Sequence, residues 1–465
     1  MSESKPHVVI IGGGVCGLYA ARKLTQAEFE VTIVEKGEGF GGLAACVERH
    51  GNFYDLGVHM LQEYDREIFE DCKEMMGEER VPVQLDARIR WAGGYYRYPL
   101  QFADMIRGMP PQRLARCVLG LFWAQFRNKV APWEPRDCEE ALQQLYGTPL
   151  YEFFFKEFTT RYWGMPPTQM SANFVRRKMP RLTAVDAIRK FLAYLGIKEK
   201  PGRSTQSALL EETLHYSREG AQALPRSIAK AVEKDGAQLV PRHVLRKVGM
   251  DGGRAVGVAV EDTHTEESRE IACDEVISTV PVGALLGAIQ PAPDSAVNDS
   301  VKELRYLPLV AYGLLVSKPR VLDALYVYYR ERIFHRVGEP KNAGLAVKPE
   351  DHTVLIVEMT CQRGSPEWEG DPAVLDKIYE DLEAEGICTA DDVVEVHMHR
   401  SETAYPVFAL GYEPHFERVY DYLNGLPNLQ SVGRQGGFCF PGMHSAMRIG
   451  ADAAERVIER HRGES

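Results

Sequence analysis

The most constraining feature lies at the start of the chain. An apolar run, HVVII at 7–11, leads into GGGVCG, with glycines at 12, 14 and 17. This GxGxxG spacing directly follows a predicted buried strand and opens a predicted helix over 15–27. A second apolar run, EVTIV at 30–34, ends at Glu35, 18 residues beyond Gly17. Each position has a physical task. Gly12 permits a tight turn out of the strand. Gly14 lets backbone approach a pyrophosphate, and Gly17 lets helix and sheet pack closely. The helix N-terminus offers free N–H groups and partial positive charge to phosphates. A carboxylate at Glu35 accepts hydrogen bonds from a ribose 2′-hydroxyl and repels a 2′-phosphate. The first 60 residues read as a dinucleotide-binding βαβ unit.

The chain has 465 residues. That exceeds what one hydrophobic core commonly spans, about 250–300 residues, so at least two domains are expected. A net charge of −11 argues against non-specific nucleic-acid binding. No apolar stretch is long enough for a transmembrane helix, and the N-terminus lacks a signal-peptide pattern. Nine cysteines lie without metal-type spacing. An odd count in a large chain suits free thiols in a reducing cytoplasm.

Further along, about 100–200 reads as mostly helical, broken at Pro110-Pro111 and Pro166-Pro167. Residues 221–234 read as an amphipathic helix. Strand-like segments follow: QLVPRHVLRKV, RAVGVAVED and EVISTVP, with Gly252 and Gly253 as a hairpin turn. Residues 304–316 and 353–359 read as strands of a second sheet, and 446–462 as the last helix. The fold class is α/β, and the chain returns to its first domain at its end.

Spacing alone does not separate FAD from NAD. Several stretches resemble the FAD-binding amine oxidase and protoporphyrinogen oxidase superfamily: Glu35-Lys36 followed by Gly41-Gly42, the hairpin around Val244, VISTVP at 276–281, and the ending SVGRQGGF…RIGADAAERVI. The resemblance implies FAD, with Gly433 and Arg434 by the pyrophosphate and Gly450 opening the last helix. It also implies a division into three regions. A Rossmann-like FAD domain takes 1–62, 211–285 and 415–462. A mixed-sheet substrate domain takes 63–100 and 286–414. A helical cap takes 101–210.

Four more stretches resemble the branch containing UDP-galactopyranose mutase and its desaturase-like relatives. YDLGVHML at 54–61 implies a flavin-side histidine, His59. RYWGMPPTQMSANFVRRKMPR at 161–181 implies a substrate-facing arginine, Arg177 or Arg181, near Trp163. FHRVGEPKN at 334–342 implies a flavin-side Arg336. TAYPVF at 403–408 places Tyr405 at the substrate cleft. Read from the residues alone, His59 is equally a core histidine, and Arg336 a surface charge or a partly buried guanidinium. The segment GRQGGFCFPGMHSAM departs from the mutase pattern. Phe438 and Phe440 replace tyrosines that would serve a diphosphate, Gly442 replaces an acid, and His444 takes a further acidic position, as a candidate base or donor lining the cleft or else as a helix N-cap neighbour. The expected function is hydride transfer from a small-molecule C–H bond to flavin. The alternative is a non-redox mutase acting on a nucleotide sugar.

Two constellations carry no chemistry in this reading. His397 and His399 face one side of a strand as a surface pair. Residues 112–130 place Leu114, Cys117, Val118, Leu121, Phe122 and Phe126 at helical spacing, flanked by Arg113, Arg116, Arg127 and Lys129. Membrane contact is one reading; a core-facing helix is preferred, because the chain as a whole is not basic.

Overall fold

The computed structural model describes residues 5–98, 102–178 and 213–463. A five-stranded parallel sheet runs in the order Leu429–Ser431, Glu275–Ser278, His7–Ile11, Glu30–Val34, Gln238–Val240. The central strand reads as a continuous apolar run because both its faces are covered: Val8 and Ile10 pack on the helices Val15–Gln26, Ala223–Lys234 and Met443–Gly463, and Val9 and Ile11 face the cluster that holds the strands His243–Asp251 and Arg254–Asp262. Val8, Val9 and Ile10 are fully buried.

The segment read as one strand, QLVPRHVLRKV, is two. Gln238–Val240 completes the parallel sheet, and His243–Asp251 starts a separate antiparallel hairpin with Arg254–Asp262. The chain turns between them at Arg242, whose φ is 58°. The Pro241 ring removes a ladder donor where the strand stops. At the hairpin tip Gly252 and Gly253 take φ of 54° and 82°, the positive pair that a tight two-residue turn requires.

A seven-stranded sheet forms the second layer. Its order is Val393–Pro406, Tyr306–Val316, Thr353–Thr360, Arg336–Gly338, Tyr326–Tyr329, Ala87–Trp91, Gly94–Tyr98. Strands from 87–98 and from 306–406 therefore share one sheet. Arg80–Gln84 pairs with Thr213–Ser217, which brings the strand after the helical region back to the loop carrying His59 through the Leu61–His215 bridge. Helices dominate 102–178.

The last helix runs from Met443 to Gly463. It starts before Gly450, so the expectation that Gly450 opens it is corrected. Gly450 lies within the helix and serves packing instead. A Cβ there would stand 2.1 Å from the Cys16 carbonyl oxygen of the first helix. Gly17 is constrained in the same way within the glycine loop, where a Cβ would stand 2.1 Å from the Gly12 oxygen.

An ordinary glycine-to-alanine change inside a helix stabilises by about 0.5–1 kcal/mol. The contact with Cys16 reverses that sign. Gly450→Ala should cost about 3 kcal/mol or more by overpacking, read as a lowered urea midpoint. A stabilised variant would mean that the two helices do not cross this closely.

Candidate functional site

The nucleotide half of the site is a set of backbone turns. Gly12 leaves the first strand with φ of 104°, and its N–H donates to the Val34 carbonyl. The Gly41 N–H donates to the Gly13 carbonyl at 2.8 Å, and a bridge joins Gly14 to Gly41. A Cβ on Gly42 would come 3.1 Å from the Gly14 Cα, so the two glycine motifs close on each other. Glu35 is held at the loop mouth: Oε2 accepts from the Gly13 N–H at 2.7 Å and Oε1 from the Gly37 N–H at 2.8 Å. Lys36 is exposed. The His243 N–H donates to the Glu35 carbonyl at 2.8 Å, which seats the half-buried Val244 beside this corner. Gly433 has φ of 82° and packs on Cys16.

The second half gathers side chains that are far apart in the chain. Arg336 and Glu358 lie directly opposite each other on neighbouring strands, and Tyr328 lies opposite Arg336 on the other side. Direct cross-strand partners share a face, so the three converge. The guanidinium donates twice to Glu358, Nε to Oε1 at 2.7 Å and Nη2 to Oε2 at 2.6 Å. It also lies over the rings of Tyr326 and Tyr328, at 5.4 and 5.6 Å. The carboxylate holds Arg336 far above its ordinary pKa despite burial. Of the two readings of Arg336, the structure selects the partly buried, carboxylate-paired one.

His59 stands at the same place. Gly57 separates it from Glu358: a Cβ on Gly57 would meet His59 Cε1 at 3.3 Å and Glu358 Oε2 at 3.4 Å. His59 Nδ1 lies 3.1 Å from the Gly57 carbonyl. Its loop is fixed by the buried Asp55, which accepts from the Ala221 N–H, the Cys46 thiol and the Tyr216 hydroxyl. Burial, with the charges of Arg434 and Arg336, lowers the His59 pKa to about 3. The imidazole is neutral at physiological pH.

Arg434, expected at the pyrophosphate, faces aromatic rings. Its guanidinium lies 4.9 Å from the Phe440 ring centre and 5.7 Å from that of Tyr405. It donates to the carbonyls of Pro441 at 2.8 Å and Ala404 at 3.4 Å. Among the described residues no carboxylate forms a salt bridge with it, and burial lowers its pKa. Tyr405 also meets Phe440, Tyr162 and Trp163, at 4.8, 5.6 and 6.3 Å between ring centres. Trp163 is buried against Phe174.

Not every candidate joins this cluster. His444 contacts Tyr64, at 4.9 Å, and Ser445. Phe438 is fully buried among Tyr306, Phe408, Tyr412 and Phe416, so it is a core residue, and only Phe440 bears on the cluster. Arg177 lies on the helix Asn173–Lys178, its side chain outside the described residues, as is all of Arg181. Sequence reasoning misses Glu358 and Tyr162. Glu358 carries a signal, being the sole charge in the apolar strand TVLIVEM.

Glu358→Ala leaves the Arg336 charge buried without its partner and should cost roughly 3–5 kcal/mol in denaturant unfolding; a loss under 1 kcal/mol would show the pair to be solvated. Acid should act through the histidines. His59 and His335 both have pKa values lowered to about 3, chiefly by burial. Below pH 6.5 the unfolded chain binds protons that the folded chain refuses, so stability present above pH 6.5 is lost as pH falls toward 3. The double variant His59→Asn, His335→Asn should show a shallower loss over that window in pH-dependent unfolding.

Comparison with known proteins agrees with this arrangement. The model for flavin containing amine oxidoreductases matches residues 15–458. A phytoene desaturase of Fusarium fujikuroi is 36% identical over 85 residues, covering 18% of this chain and 15% of that protein. A 4,4'-diapophytoene desaturase of Staphylococcus haemolyticus is 24% identical over 243 residues, covering 48% of this chain and 45% of that protein. The chain thus spans less than half the length of these curated relatives. The crystal structure of a reduced UDP-galactopyranose mutase superposes with a TM-score of 0.80 at 20% identity, covering 98% of this chain and 94% of that one. The glycine cradle, with Glu35 at its mouth and Gly17 and Gly450 too tightly packed for any side chain, fits FAD as the cofactor. By the length of its match, the chain belongs to the flavin-containing amine oxidoreductase family.

Proposed function

We propose that this protein is an FAD-dependent oxidoreductase that removes a hydride from a C–H bond of a small-molecule substrate. FAD, when bound, would supply the two-electron acceptor, with a second acceptor needed to reoxidise it. The observation that carries the reading is that His59, Glu358, Tyr405 and Tyr162 are each poorly suited to act as a base. Burial lowers the His59 pKa to about 3, which leaves its imidazole a weak base. Glu358 is engaged through both oxygens by Arg336. Burial pushes the phenols of Tyr405 and Tyr162 above their ordinary pKa. Hydride loss from a carbon beside an amine nitrogen leaves an iminium ion with no proton to remove, and the proton that an alcohol or polyene must also lose can go to solvent. The cluster instead supplies position and field: aromatic walls from Tyr405, Phe440 and Tyr162, with Arg434 offering positive charge to an electron-rich or anionic portion of the substrate. Nine free cysteines suit a cytoplasmic setting.

A second reading, a non-redox mutase on a nucleotide sugar, is favoured by that same Arg434 charge and by the fold shared with a reduced UDP-galactopyranose mutase. It is opposed by Phe440, which has no hydroxyl to donate to a diphosphate. A hydrogen bond to a charged group contributes about 1.5–3 kcal/mol.

The visible spectrum of the purified chain, recorded anaerobically with a panel of amine, alcohol and polyene donors, tests the proposal. Bleaching of the oxidised flavin by a donor is the expected outcome. Isomerisation of a UDP-sugar that occurs only after dithionite reduction, with no donor bleaching, would replace it with the second reading.

A further inference from the structure

We propose that the helix Pro111–Val130 rests its outer face on an anionic lipid surface. This helix is apolar on two opposite sides. Cys117, Leu121 and Ala124 are buried against the body of the protein. On the far side Leu119, Trp123, Phe126 and Val130 are 68, 65, 58 and 65% exposed. Spacings of four, three and four residues set them in one line along the helix. Phe126, expected on the core side, belongs to this outer line. Single exposed apolar side chains are ordinary, but a contiguous line of four large ones marks an interaction surface.

Charge selects the occupant. From 105 to 133 the chain carries Arg107, Arg113, Arg116, Arg127 and Lys129 and no acid, within a protein of net charge −11. At about 100° per residue, Arg116 and Arg127 flank one edge of the apolar line and Lys129 the other. A groove of about 440 Å³ beside the line has Arg116, Trp123, Arg127 and Trp133 among its walls and no carboxylate. An apolar stripe with a tryptophan, edged by basic residues, is the pattern of a helix lying in a membrane interface. Anionic headgroups then add attraction for each basic residue. A second copy docked on this face would set like charges against each other. Among the described residues no helix is long and apolar enough to cross a membrane, so the contact is peripheral.

The test uses the full-length, FAD-loaded chain and sucrose-loaded vesicles of phosphatidylcholine, with and without an equal share of phosphatidylglycerol. The expected result is sedimentation with the anionic vesicles and release at about 0.5 M salt, where charge attraction is screened. Trp123→Ser with Phe126→Ser should weaken binding at least about tenfold through lost apolar burial. Arg116→Gln with Arg127→Gln should weaken it about fivefold per arginine. Both pairs should keep the flavin spectrum and the melting temperature. The proposal is overturned by absence of binding to either vesicle at low salt. It is equally overturned if neither variant pair changes binding, or if the wild-type chain forms a dimer that Trp123→Ser, Phe126→Ser dissolves while vesicles are ignored.

Discussion

The fold turns on two places where backbone meets backbone too closely for any side chain. Gly17 presses the first helix onto the Gly12 turn, and Gly450 presses the last helix onto Cys16. The second contact ties residues more than 430 positions apart and closes the nucleotide domain from its two ends. It also places the turn at Gly433 against Cys16. Because an added methyl would strike carbonyl oxygen rather than a yielding side chain, these contacts have little tolerance. The cradle for the cofactor is therefore assembled by packing between the termini as much as by the glycine loop itself.

The candidate site gathers residues of the seven-stranded sheet and of the turn that carries Arg434. Register does most of the placing. Tyr328, Arg336 and Glu358 come together because they are direct partners on three adjacent strands. The pair is buried, so neither member can be lost cheaply, and each Glu358 oxygen already accepts a hydrogen bond from Arg336. Arg434 differs, since carbonyls and aromatic rings surround it instead of a carboxylate. The result is a site with fixed positive charge and a neutral histidine.

The sequence is legible where structure is local. The strand, glycine loop and acid of 7–35 can be read because their partners lie within one short βαβ unit. The hairpin at Gly252 and Gly253 is readable for the same reason. The break at Pro241–Arg242 is hidden because apolar pattern continues across it while the chain changes sheets. Phe438 misleads because a motif position does not reveal which side of the backbone faces the cleft. The 111–130 helix misleads in another way. Two apolar stripes on opposite faces blur one another in a periodic pattern, and only burial tells them apart.

By itself, then, the sequence determined the nucleotide-binding unit and the α/β class. These follow from residue type and spacing over short range. Which distant residues meet was decided only in three dimensions. His59, Arg336, Glu358, Tyr405 and Arg434 are far apart in the chain, and they converge because strand register and helix packing are set by contacts across the whole molecule.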